Sequence, residues 1–73
     1  MLYAVVKKYE QNGEKFADWH YKPSDREAIY EKILKLSGNN IPLAINISSW
    51  AELATEGEIY EFENGEVEIL DID

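Results

Sequence analysis

The side chains able to do chemistry in this sequence are mostly carboxylates, and they are concentrated at one end. Residues 51–73 hold nine Asp or Glu and no Lys or Arg, a net charge of −9. Residues 1–50 hold seven basic and six acidic residues, a net of +1, so the whole 73-residue chain carries −8. Glu61, Glu63, Glu66 and Glu68 flank an Asn64-Gly65 pair, with Glu56 and Glu58 just before them. Carboxylates two residues apart on a strand lie about 6.7 Å apart, and opposed ones about 5 Å apart. Rows of negative charge at that spacing suit a basic protein surface and, in a narrower form, imitate a phosphate backbone. Like charges opposed across a sheet cost roughly 0.2–1 kcal/mol per pair. Solvation and protection of a strand from other chains are the plain explanations for accepting that cost. Engagement of a basic partner is the functional one, because complementary fields steer association.

Other chemistry has little to work with. His20 is the single His and has no obvious partner for acid–base work. The absence of Cys excludes thiol nucleophiles, disulfides and thiolate metal sites. The four Gly are isolated, so no phosphate-cradling loop occurs, and neither a His-Glu-x-x-His zinc pattern nor an Asp-rich calcium loop is present. Ser49 fits a helix cap, and Trp19 and Trp50 fit a core. The expectation is a chain that is not an enzyme, uses no cofactor and holds no designed metal site. Its acidity argues against direct nucleic-acid binding, which needs a basic surface.

These side chains must be positioned by a single small domain spanning residues 1–73. Hydrophobic residues make up 45% of it, a globular composition. The uncharged stretch from Ser37 to Trp50 contains Ser, Asn, Gly and Pro and is too short and polar to span a bilayer. With no apolar leader before Lys7, the expected location is the cytoplasm, away from membranes.

Leu2 to Tyr9 and Glu14 to Lys22 are rich in β-branched and aromatic residues and are joined through Asn12-Gly13, a hairpin signal. With Asn12-Gly13 as a two-residue loop, Tyr9 opposes Phe16, Lys7 opposes Asp18 and Val6 opposes Trp19. Leu2, Ala4, Val6, Ala17, Trp19 and Tyr21 then form the core face. The reverse face carries Tyr3, Val5, Tyr9, Phe16 and His20, a second candidate interface, since contiguous exposed aromatics mark contact surfaces.

Ser24 and Glu27 make a capping box for a helix over roughly residues 25–36, whose apolar stripe is Ile29, Ile33 and Leu36 and whose stop is Gly38. Ile41 to Ile47 reads as a short strand. Ser49 to Glu52 opens a short second helix that Gly57 ends. A final hairpin turns at Asn64-Gly65, pairing Glu63 with Glu66, Glu61 with Glu68, Phe62 with Val67 and Tyr60 with Ile69. The order β-β-α-β-α-β-β indicates an α+β two-layer sandwich. Its sheet is mostly antiparallel, with one main helix packed on one face and a second short helix. The expected function is a small acidic interaction module that binds a basic protein partner through Glu56, Glu58, Glu61, Glu63, Glu66 and Glu68. The alternative is a homodimeric or accessory subunit using the aromatic sheet face; the chain is otherwise a monomer.

Overall fold

A computed structural model describes residues 1–72. They form an α+β two-layer sandwich: β1 (Leu2–Tyr9), β2 (Lys15–Tyr21), α1 (Arg26–Leu36), α2 (Ile41–Leu53), β3 (Ile59–Phe62) and β4 (Gly65–Asp71). The four strands make one antiparallel sheet in the order β2-β1-β4-β3. Chain order is therefore β-β-α-α-β-β, with one helix where a strand and a short helix were expected.

The first hairpin keeps the expected register from Ala4↔Tyr21 to Lys8↔Ala17, then shifts so that Tyr9 opposes Lys15. The loop is three residues long rather than two. Gly13 takes φ +87° and donates to the Glu10 carbonyl, and Glu10 donates to that of Glu14. A type I turn followed by a left-handed residue is the usual three-residue solution. The extra residue is absorbed as a bulge at Phe16, which is 67% exposed.

α1 begins one residue later than the capping box implied. Pro23 and Ser24 are held in a turn closed by Asp25 N–H donating to the Lys22 carbonyl. Asp25 is consequently the N-cap, its Oδ1 accepting from Ala28 N–H at 3.4 Å. At the other end Gly38 and Asn39 are both left-handed (φ +68°), and Asn39 N–H reaches back to the Leu34 carbonyl.

Ile41 to Ile47 is helical, which corrects the expected strand. Asn40 caps the helix, its Oδ1 accepting from Leu43 N–H at 3.2 Å, and Pro42 sits in the first turn, where its missing N–H costs nothing. The buried positions Ala44, Ile47, Ser48 and Ala51 recur at i, i+3, i+4 and i+7. Three of those four are small, so the stripe was hidden behind the period-two alternation of Ile41, Leu43, Ile45 and Ile47. Ser49 lies mid-helix and caps nothing; its Oγ accepts from Arg26 Nη2 at 2.9 Å.

Both helices cover the same sheet face. The core joins Ala4 and Val6 of β1, Val67 and Ile69 of β4, Ile29 and Ile33 of α1, and Ala44, Ile47 and Ala51 of α2, all 0% exposed. Trp19, Tyr21, Trp50 and Tyr60 pack around it, Trp50 edge-on to Tyr60 at 5.5 Å between centroids. Among the described residues no helix is long and apolar enough to cross a membrane.

The second hairpin has a loop different from the expected one. Phe62 opposes Gly65, Glu61 opposes Glu66, Tyr60 opposes Val67 and Ile59 opposes Glu68, so Glu63-Asn64 is the two-residue loop. The slide is by two residues, which leaves every side chain on its expected face. Asn64 supplies the left-handed residue (φ +57°), and Gly65 is kept for packing. A Cβ at Gly65 would lie 2.6 Å from Phe62 Cζ and 2.7 Å from the Lys7 carbonyl oxygen. The Phe62 ring occupies the space that a side chain would need. Gly65→Ala should therefore lower stability by about 1–3 kcal/mol. Urea unfolding with an unchanged m-value measures this, and a neutral result would contradict the Phe62–Gly65 packing.

Candidate functional site

The face of the sheet opposite the helices is uncovered, and it holds Glu61, Glu66 and Glu68 of the acidic set together with Tyr3, Val5, Tyr9 and His20 of the second set. Register places them in rows. Asp18, Lys7, Glu66 and Glu61 run across β2, β1, β4 and β3; His20, Val5, Glu68 and Ile59 form the next row.

The six acidic candidates do not form one row. Glu66 and Glu68 sit on the internal strand β4, with side chains 22% exposed, and both meet Lys7 of β1. Lys7 Nζ donates to Glu68 Oε1 at 2.7 Å and lies 3.9 Å from Glu66 Oε2. This hydrogen bond, reinforced by both carboxylate charges, holds the Lys7 ammonium above its ordinary pKa of 10.5 against the opposing effect of burial. The remaining acids line the outer side of the molecule. Glu61 is exposed on the edge strand β3, opposite Glu66. Glu63 is in the loop, and its carbonyl accepts from Lys8 Nζ at 3.2 Å. Glu56 lies in the turn after α2, and Glu58 accepts from the Thr55 N–H and hydroxyl. Glu56, Glu58, Glu61 and Glu63 are all exposed, and none forms an ion pair among the described residues.

Like charges thus meet at the Glu61↔Glu66 pair, while Glu63 and Glu66, expected to oppose each other, do not. The tolerance has a simple source. Fully burying a Val or Ile side chain contributes about 1.5–3 kcal/mol, more than one opposed carboxylate pair costs. Val67 and Ile69, both 0% exposed, hold β4 in place.

The second set surrounds this network. Val5 lies in the middle and is only 2% exposed. Tyr3 and His20 are neighbours, their ring centroids 6.2 Å apart. Tyr9 is half-buried at the end of β1, its N–H donating to the Asn64 carbonyl at 2.8 Å. Phe16 projects from the bulge. Beside it Lys15 donates to Asp18 at 2.9 Å, and this bond holds the Asp18 carboxyl below its ordinary range. No group of three His, Cys, Asp or Glu among the described residues could hold a metal ion. Ser48 and Ser49 hydroxyls are committed to the Ile45 carbonyl and to Arg26.

Lys7 and Lys8 are the residues that sequence reasoning missed. The only local hint was Lys7 opposite Asp18; its acidic partners lie 59 and 61 positions away. Lys8 sits on the helix side, 5.8 Å from the Phe62 ring centroid. It lines a cleft of about 420 Å³ with Leu36, Leu43, Asn40 and Phe62.

No protein-family model, curated protein or solved structure matches this chain. The functional reading therefore rests on the site itself.

Replacing Lys7 by Met should leave Glu66 and Glu68 without their shared cation and cost about 1–3 kcal/mol at neutral pH. The sign of the pH effect follows from the raised pKa. Lys7 contributes its full stabilisation below pH 10.5, and that contribution is lost as pH rises through the higher folded value. Burial raises the Tyr21 hydroxyl as well, so Tyr21 also disfavours the fold as pH rises above its ordinary value of 10.0. The gap between wild type and Lys7→Met should thus narrow above pH 10.5. Denaturant midpoints across that range measure it, and a pH-independent gap would contradict the assignment.

Proposed function

We propose that this chain is a small non-catalytic interaction module whose acidic C-terminal hairpin engages a basic surface of a protein partner. The observation that carries this reading is the split within the hairpin. Lys7 pairs with the inner carboxylates Glu66 and Glu68, while the carboxylates of the outer ones, Glu56, Glu58, Glu61 and Glu63, form no ion pair among the described residues. The outer acids contribute to the field at the molecular surface and are free to pair with Lys or Arg of another molecule. Inner acids act mainly within the fold and contribute less to binding. Mimicry of a nucleic-acid backbone is a narrower form of the same reading, supported by the carboxylate spacing alone.

A second reading is favoured by the placement of both helices on one face. It leaves Tyr3, Tyr9 and the 67%-exposed Phe16 on an uncovered sheet, suited to a homodimer or accessory-subunit contact. Sedimentation over a range of concentrations separates the two, because a concentration-independent monomer counts against the dimer.

Glu56, Glu58, Glu61 and Glu63 changed together to Gln should leave the fold intact, since all four are exposed. The association rate with a partner captured from the native cell should fall, along with its dependence on salt. Glu66→Gln should have a smaller effect on association. Unchanged salt dependence in the quadruple variant would reject the basic-partner reading.

A further inference from the structure

β3 is an unpartnered sheet edge, and its backbone has groups directed away from the sheet. The Glu58 carbonyl accepts from Ile69 N–H at 3.0 Å, which fixes the phase of the β3–β4 ladder. Antiparallel pairs alternate between bonded and non-bonded positions. Tyr60 therefore turns its N–H and C=O toward Val67 of β4. Ile59 and Glu61 turn theirs outward, where no strand lies among the described residues.

The two edges of the sheet are unlike. β2 is broken by the bulge at Phe16 and carries Lys15 paired with Asp18, devices that discourage strand addition. β3 pairs with β4 without a register shift and contains no Lys, Arg or Pro. Its protection is only its shortness and its acids. Acids repel an acidic strand and attract a basic one.

Side chains on the uncovered face specify what fits. Across β2, β1 and β4 the charges alternate: Asp18 negative, Lys7 positive, Glu66 negative. At β3 the alternation fails, because Glu61 lies beside Glu66 with no cation beyond it. In the adjoining row Glu68 is followed by Ile59, which is 49% exposed. A strand laid beside β3 would meet Glu61 with one side chain and Ile59 with the residue two positions along.

From this we infer that β3 receives an extended segment of the basic partner as a fifth strand. The segment places a Lys or Arg opposite Glu61 and an apolar side chain opposite Ile59. The inference rests on the basic-partner reading above and adds the mode of contact and the pattern recognised, basic-x-apolar. Backbone hydrogen bonds to Ile59 and Glu61 supply affinity, and the two side-chain positions supply selectivity. A second copy is a poor occupant, because two β3 edges side by side would bring Glu58, Glu61 and Glu63 of each chain together.

The probe is acetyl-Thr-Lys-Thr-Val-Thr-Lys-Thr-amide, titrated into the full ¹⁵N-labelled chain. Its Lys and Val side chains share one face in either strand direction. Binding should slow exchange of the Ile59 and Glu61 amides and weaken with salt. An isomer with the Lys and Val residues consecutive should bind more weakly. Ile59→Pro keeps every charge and removes one outward N–H, so it should lower affinity by about tenfold while Tyr60 and Val67 amides stay protected. The wild-type amide protection keeps the test valid if that variant does not fold. Salt-sensitive binding with Ile59 and Glu61 exchanging at the free rate would overturn strand addition and leave the basic-partner reading standing. No binding at about 1 mM peptide would also overturn it. Protection of these amides in a peptide-free dimer would assign the edge to a second copy and overturn it too. Failure of the basic-partner reading shows separately, as unchanged salt dependence in the quadruple Gln variant.

Discussion

The first and last strands of this chain lie side by side at the centre of the sheet, and the rest of the structure depends on that pairing. Leu2 to Lys8 of β1 run antiparallel to Gly65 to Asp71 of β4. The pair lays down Ala4, Val6, Val67 and Ile69 as the floor on which both helices rest. It also brings the nearly neutral part of the chain against its acidic end. The N-terminal ammonium meets Asp71 at 2.6 Å, and Lys7 meets Glu68 at 2.7 Å. Apolar burial holds the strands together, each fully buried Val or Ile contributing about 1.5–3 kcal/mol. The ion pairs contribute less, and they determine which carboxylates are paired within the fold and which are left unpaired.

That division changes the meaning of the chain's net charge. The −9 of residues 51–73 is a statement about sequence. In the fold, part of it is paired with Lys7 within the sheet and with the exposed N-terminus, and Glu52 is within 3.5 Å of Arg26. Among the described residues, the unpaired acids Glu56, Glu58, Glu61 and Glu63 follow the β3 edge and the turns at its two ends. An acidic edge keeps the sheet from extending indiscriminately. In the proposed mode of contact the same charges favour a basic strand as the neighbour of that edge, so protection and recognition would be two effects of one arrangement.

Much of the architecture is legible from short-range patterns, because those patterns are local. The first hairpin register from Ala4 to Lys8, the stripe of Ile29 and Ile33, and the apolar face of Tyr60, Phe62, Val67 and Ile69 all follow from periodicity. The errors have particular causes. In α2 the core positions Ala44, Ser48 and Ala51 are small, so large residues at alternate positions dominated the reading and suggested a strand. Asn40 and Pro42 were the better signal, a cap followed by Pro in the first turn. At the second hairpin, Asn64-Gly65 looks like a complete turn, but Gly65 is needed under the Phe62 ring and the loop moves back by one residue. The Lys7 network was not legible at all, since it requires the β1–β4 pairing that no local pattern reveals.

The central claim is that the acidic hairpin has an inner strand integrated into the sheet and an outer strand whose edge is open. Amide hydrogen exchange in the free, monomeric chain at neutral pH tests it most directly. Exchange should be slow along β4 at Val67, Glu68 and Ile69 and at Tyr60, and fast at Ile59 and Glu61. Slow exchange at Ile59 and Glu61 equal to that at Tyr60, in a chain shown to be monomeric, would contradict it.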